Sequence, residues 1–145
     1  MTADWETPQY LFDELNREFH FTLDVCATEE NAKCTRFLSP EDDGLWHCWY
    51  RAICWMNPPY GRGIDAWIRK AHDEVEYRRA TVVGLLPART DAKWFHDYVW
   101  HQAEIRFIKG RLEFRGTGWE KRNRPRFASM IVIWRPMTLS KEIAG

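Results

Sequence analysis

The sequence predicts an α/β fold: a mostly parallel sheet with helices on both faces, closed by an antiparallel hairpin at its C-terminal end. Three observations predict it. Thr81-Val82-Val83-Gly84-Leu85-Leu86-Pro87 is a continuous apolar run, as a strand covered on both faces requires. Just before it, the short apolar segment Ile53-Cys54-Trp55-Met56 is followed by Ile64, Trp67, Ile68, Ala71 and Val75 at helical spacing, so strand, helix and strand alternate. The final run, Ala128 to Trp134, follows the strand expected at Glu104–Ile108 without an intervening helix, which calls for an antiparallel pair.

The remaining elements follow in order. Thr7-Pro8 reads as a helix start, with Thr as cap and Pro in the first helical position. Leu11, Phe12, Leu15 and Phe19 then share one helix face. Phe21 to Val25 alternates as a strand and runs into the small-residue loop Asp24-Val25-Cys26-Ala27-Thr28. Between Thr28 and Gly44 there is room for one irregular helix and a brief strand near Thr35-Arg36-Phe37-Leu38. Ala88-Arg89-Thr90 is a further loop at a strand's carboxyl end, and Thr90 is the expected cap of a helix carrying Trp94, Phe95, Tyr98 and Val99. The strand at Glu104 is expected to extend through Leu112 towards Phe114.

Length and composition bound the function classes. The 145 residues suit one domain spanning 1–145, and no repeat, linker or low-complexity segment divides them. A hydrophobic content of 45% with nine tryptophans excludes intrinsic disorder. Lys+Arg and Asp+Glu both total 21, so any nucleic-acid-binding surface must be local rather than advertised by net charge. No segment is long and apolar enough to span a membrane, and the start lacks a signal peptide's basic and apolar regions, so the expectation is a cytoplasmic protein. Cys26, Cys34, Cys48 and Cys54 form no CxxC pair, which predicts reduced thiols and no metal.

Two stretches carry chemistry. In Asn57-Pro58-Pro59-Tyr60-Gly61, consecutive prolines force a turn at the carboxyl end of the strand, the edge where open α/β sheets bind ligands. Asn57 thereby presents an amide to a crevice. An exocyclic amine on a planar ring is a poor nucleophile because its lone pair is delocalised. An amide oxygen and a backbone carbonyl that accept its hydrogens favour the nucleophilic form, and Tyr60 would stack on the ring. An ordinary Asn-Pro-Pro turn is the competing reading. The second stretch, residues 115–126, is a glycine-flanked loop with Arg115, Trp119, Lys121, Arg122, Arg124 and Arg126. Phosphate contacts with a stacking ring, or merely solvated charge, both fit it. There is no GxGxxG and no P-loop. Asp42-Asp43-Gly44, about 20 residues beyond Asp24, is either a ribose-binding acid or a surface turn.

Taken in order, Trp5-x-Thr7-Pro8, Leu23-Asp24-Val25-x-Ala27, Asp43-Gly44-Leu45, Trp55-x-Asn57-Pro58-Pro59-Tyr60, Leu86-Pro87 and Gly110-Arg111-x-x-Phe114 resemble the pattern of small phage-type DNA N6-adenine methyltransferases. These belong to the class I S-adenosylmethionine-dependent methyltransferases, whose sheet is Rossmann-like. The resemblance covers residues 4 to 135. It implies methylation of the N6 amino group of a flipped-out adenine in double-stranded DNA, with Asn57, Pro58, Pro59 and Tyr60 at the target base. It implies S-adenosylmethionine held by Trp5, Thr7, Pro8, Asp24, Cys26, Ala27 and Asp43. Arg89, Arg111, Arg115, Trp119, Lys121, Arg122 and Arg124 are the DNA-binding candidates. The chain departs from larger adenine methyltransferases in two ways: Asp24-Val25-Cys26-Ala27 stands where they carry a phenylalanine-glycine-rich loop, and there is no long insertion for target recognition. An RNA or protein-glutamine methyltransferase, or a non-catalytic DNA-binding module, would share the motif, and monomer and homodimer stay equally open.

Overall fold

The computed structural model describes residues 5–112, 115–116 and 127–137. Its centre is a five-stranded sheet built from β2 (Leu23–Asp24), β3 (Ile53–Met56), β4 (Thr81–Pro87), β5 (Glu104–Phe107) and β7 (Ser129–Trp134), in the order β2-β3-β4-β7-β5. β2, β3 and β4 are parallel neighbours. β7 runs against both β4 and β5, so it is the one reversed strand of the five. The expected antiparallel pairing of the last two strands is present, with Glu104 opposite Ile133 and Phe107 opposite Met130. β7 is inserted between β4 and β5, however, and all six of its residues are buried.

The two sheet faces carry different helices, and side-chain alternation along β4 sorts them. Val83 and Leu85 join Trp55, Ile131 and Ile133 under α1 (Gln9–Phe19), whose Phe12 and Leu15 are buried there. Phe12 meets Trp55 edge-on, with ring centroids 5.6 Å apart. Val82 and Leu86 join Cys54, Met56, Met130, Val132 and Trp134 on the other face, against Ile68, Ala71 and Val75 of α2 (Ile64–Arg78). Phe95 and Val99 complete that layer from α3 (Phe95–Val99), a single π-wound turn in which Trp100 N–H donates to the Phe95 carbonyl at 2.8 Å.

The structure differs from the sequence expectation in its local detail. Thr7 does not cap α1: the helix begins at Gln9, and the Pro8 carbonyl takes the first helical hydrogen bonds. β2 is two residues long rather than five. The brief strand near Phe37 is a single parallel bridge to Asp24, flanked by hydrogen bonds from Asp24 N–H to Arg36 and from Leu38 N–H to Asp24. β5 ends at Phe107, and the chain beyond it forms β6 (Arg115–Gly116), paired antiparallel with β1 (Trp5–Glu6). Phe114, where the longer strand was expected to end, lies outside the described residues. Among the described residues no helix is long and apolar enough to cross a membrane.

One buried charge holds the start of β3 to α2. Glu74 is almost fully buried, accepts the Trp49 N–H and pairs with Lys70 and Arg78, each at 3.4 Å. Removing it leaves a buried N–H without its acceptor and two cations without their partner. Glu74→Ala is expected to lower the unfolding free energy by about 2–3 kcal/mol in urea titrations. A loss below about 0.5 kcal/mol would show the carboxylate to be ordinary surface charge.

Candidate active site

The carboxyl ends of β2 and β3 lie side by side because Asp24 pairs with Trp55 across the sheet. One residue past Asp24 the chain enters the Val25–Thr28 loop, and one residue past Met56 it reaches Asn57. After the diproline, Gly61 and Gly63 take φ of +107° and +98°, the left-handed conformations that let the chain reverse into α2. The turn thus fixes Asn57 at the sheet edge. Its amide Nδ2 donates to Thr7 Oγ1 at 2.9 Å, which orients the group. Thr7, expected to cap a helix, instead positions this amide.

Around that bond is a narrow polar recess of about 20 Å³, lined by Glu6, Thr7, Asp24, Cys26, Asn31, Lys33, Trp55 and Asn57. It has room for about one water-sized group. A larger cleft of about 290 Å³ adjoins it, sharing Cys26 and Asn31. Ala27, Leu38, Pro59 and Trp67 supply apolar walls there, and Ser39 and Asp43 a polar edge. Gly44 closes the cleft's floor: a Cβ there would stand 2.3 Å from the Val25 carbonyl and 2.9 Å from Trp67, so only glycine lets this loop approach β2. Asp43 sits beside it at φ +57° and accepts the Leu45 N–H at 3.2 Å.

Asp24 is the most perturbed acid of the site. It is 2% exposed, and burial raises its pKa from the ordinary 3.8 to about 6. Hydrogen bonds from the backbone N–H groups of Lys33 (3.0 Å) and Cys26 (3.3 Å) oppose that rise without cancelling it. Burial and the neighbouring Asp24 push the Cys34 thiol up to about 12, so it is no thiolate. All four cysteines are free. Among the described residues, no group of three or more His, Cys, Asp or Glu side chains could hold a metal.

Tyr60 is turned inward. Its ring is 7% exposed, its hydroxyl donates to the Leu85 carbonyl at 2.9 Å, and Phe127 meets it edge-on at 5.4 Å. A tyrosine that satisfies its hydroxyl inside the core buries its apolar ring with it, so the ring is not an open platform in this structure. Pro58 is buried and Pro59 lies at the cleft. Arg89 is exposed and lies over the Phe127 ring at 5.7 Å, which links it to Tyr60. Arg111 is exposed. Pro8 sits next to Thr7 as the N-cap of α1, Trp5 contributes its backbone to β1, and Arg115 its backbone to β6. Trp119, Lys121, Arg122 and Arg124 lie outside the described residues.

The structure brings together Thr7, Asp24, Cys26 and Asn57 at the recess and Cys26, Ala27, Asp43 and Pro59 at the cleft. Sequence reasoning missed Glu6, Asn31 and Lys33, whose positions in polar segments gave no periodic signal, and Phe127, which follows directly on the basic loop.

The raised pKa of Asp24 gives a signed pH dependence. As pH rises the unfolded chain loses this proton first, so the stability conferred by the neutral carboxyl is fully present below about pH 4 and is lost as pH rises through about 6. That span is worth at most about 3 kcal/mol. Wild-type stability is therefore expected to fall between pH 4 and pH 6 relative to Asp24→Asn, measured by denaturant unfolding at each pH. Parallel profiles for the two proteins would contradict the assignment.

The family model described as DNA N-6-adenine-methyltransferase (Dam) matches residues 2–144. The chain is 34% identical over 139 residues to the DNA N-6-adenine-methyltransferase of Haemophilus phage HP1, which covers 91% of this chain and 78% of that protein. It is 32% identical over 129 residues to the DNA N-6-adenine-methyltransferase of Escherichia phage T1, covering 86% of this chain and about half (53%) of that longer protein.

Proposed function

Because the chain belongs to the DNA N-6-adenine-methyltransferase (Dam) family, we propose that it methylates the N6 amino group of adenine in double-stranded DNA from S-adenosylmethionine, with a Rossmann-like class I methyltransferase domain as its single catalytic unit. The observation that carries the proposal is the juxtaposition of an oriented Asn57 amide with the acid-ended cleft at the tips of β2 and β3. When bound, S-adenosylmethionine supplies an electrophilic methyl group on a sulfonium.

The residues present fit that donor. Leu38, Pro59 and Trp67 offer apolar surfaces to a purine, and Ser39 and Asp43 offer acceptors to a ribose. The recess with Asp24, Thr7 and Asn57 lies at the far end, next to the residues of the target-base motif. Asn57 Oδ1 and the Pro58 carbonyl are the acceptors for the two N6 hydrogens. By taking them in hydrogen bonds they draw the nitrogen towards its pyramidal, nucleophilic form. No strong base is needed at that stage, since the developing positive charge acidifies the amine and most of the catalysis is positioning.

An adenine inside a duplex has its N6 edge paired, so it must be extruded to reach Asn57. Tyr60 is the stacking residue for it, and Phe127, edge-on to Tyr60, must shift to admit the base. Arg89 over Phe127 places a cation at the same entrance. The loop with Lys121, Arg122 and Arg124 is read as a phosphate contact from its charge pattern alone.

Incubation with methyl-labelled S-adenosylmethionine and duplex DNA, followed by nucleoside analysis, is expected to yield labelled N6-methyladenine. No label in adenine would refute the reading. Asn57→Ala is expected to lower turnover about a hundred- to a thousand-fold, the cost of one well-aimed polar contact at a reacting centre, while calorimetry finds donor affinity within about three-fold of wild type. Replacing Lys121, Arg122 and Arg124 together by Gln should flatten the salt dependence of DNA binding by up to about three phosphate contacts. An unchanged salt slope would locate DNA binding elsewhere.

A further inference from the structure

The edge of the central sheet opposite the site carries a row of basic residues. β2, β3, β4 and β5 begin at that edge and β7 ends there. His20 precedes β2, Arg51 precedes β3, Arg79 precedes β4 and His101 precedes β5, while Arg135 follows β7. All five are exposed. In the strand order β2-β3-β4-β7-β5 they stand as His20, Arg51, Arg79, Arg135 and His101. Arg78 adds a guanidinium beside Arg51, whose backbone N–H donates to the Arg78 carbonyl at 3.0 Å.

The backbone singles these positions out. His20, Arg51, Arg79 and His101 have φ of +56°, +55°, +57° and +64°, left-handed conformations that glycine adopts without strain. Among the described residues Asp43 is the other non-glycine residue in that region, so four of the five lie on this edge, each with a basic side chain. A cation near a helix's last carbonyls complements the dipole, which serves His20 and Arg79, the C-caps of α1 and α2. It does not serve Arg51, which ends no helix, and a left-handed cap is ordinarily glycine. Rings prop two of the side chains: the Arg51 guanidinium lies 5.5 Å from the Tyr50 centroid, and the His101 ring 4.5 Å from that of Trp100. Of the neighbouring acids, Glu74 is buried, Glu104 is taken up by Arg106 and Arg135, and Glu76 is the exposed one on the last turn of α2. Cations therefore outnumber acids along the row.

We infer that this edge is a second contact surface for duplex DNA, separate from the edge at which Asn57 stands. Four strand spacings of about 4.8 Å give the row a length of about 19 Å, roughly half the 34 Å turn of a duplex. A straight row of cations suits the regularly spaced phosphates of one backbone and reads no bases. The chain as a whole has equal numbers of acidic residues and of lysines plus arginines, so this attraction is local to the edge. One chain thereby holds two duplex segments, and the segment on the basic row tethers the enzyme while the other is exchanged. The choice of DNA as the polyanion rests on the family's substrate, but the inference is independent of which base is modified.

Calorimetric titration at low salt with a duplex of about one turn, too short to wrap from one edge to the other, tests this. Wild type is expected to take two duplexes per chain. Arg51→Gly combined with Arg79→Gly should take one and keep methylation of that duplex within about two-fold of wild type. It should melt no lower than wild type, since glycine suits both left-handed positions. Arg51→Gln combined with Arg79→Gln removes the charges without touching the backbone's freedom, and should likewise take one duplex. The inference is overturned if wild type takes fewer than two duplexes per chain, or if both double variants still take two. It is also overturned if single-stranded DNA fills the second site and duplex does not, or if polyglutamate of equal charge displaces the second duplex as readily as DNA does, which would mark a surface for an acidic protein. A wild type that takes two duplexes yet labels no adenine would sink the methylation reading and leave this one standing.

Discussion

The parallel register of β2 and β3, with Leu23 opposite Cys54 and Asp24 opposite Trp55, is the constraint on which the rest of the site depends. It brings two chain segments some thirty residues apart to the same edge of the sheet at the same height. A slip of one residue would exchange the faces of every side chain on β3, moving Trp55 from the α1 layer into the α2 layer. Phe12 and Phe21 both pack edge-on against Trp55, each with centroids 5.6 Å away, and so oppose that slip. Aromatic packing on one face of the sheet therefore fixes where Asp24 and Asn57 emerge at its edge.

What emerges there is polar by construction, and the fold tolerates it in two ways. Glu74, away from that edge and before the start of β3, is matched by two cations and the backbone N–H of Trp49, whose ring N–H donates to the Gly44 carbonyl. Asp24 receives two backbone N–H groups and keeps a raised pKa. The first pattern is that of a structural charge, closed on itself. The second leaves a carboxyl whose environment disfavours its ionised form, and such groups concentrate where a ligand is handled.

The sequence was legible where a single physical period governs it. The unbroken apolar run of β4 and the helical spacing of α2 are both present, because burial on both faces, or on one, leaves a pattern in the chain itself. The turn at Asn57 was legible for a different reason: consecutive prolines and the following glycines allow few other conformations. Thr7 was misread because a threonine before proline favours both capping and any nearby partner, and here the partner, Asn57, is 50 residues away. The same holds for Lys33 and Glu6, which meet only once β1 and the Thr28–Lys33 turn are placed. The insertion of β7 between β4 and β5 was also beyond local pattern, since an apolar strand of six residues reads alike at the end of a hairpin or inside the sheet.

The short pairing of β1 with β6 joins the wall of the recess to a segment late in the chain. Glu6 stands opposite Arg115, so the strand that supplies Glu6 to the recess and runs directly into Thr7 is paired with the strand that precedes the basic stretch of the sequence. Two-residue strands have little stability of their own, and their pairing is therefore sensitive to what happens at either end. A ligand in the recess that fixes Glu6 and Thr7 therefore also favours the β1–β6 pair, and loosening that pair weakens the ligand's hold by the same factor. The wall of the recess is thus held to a segment late in the chain through four residues of backbone rather than through the body of the sheet.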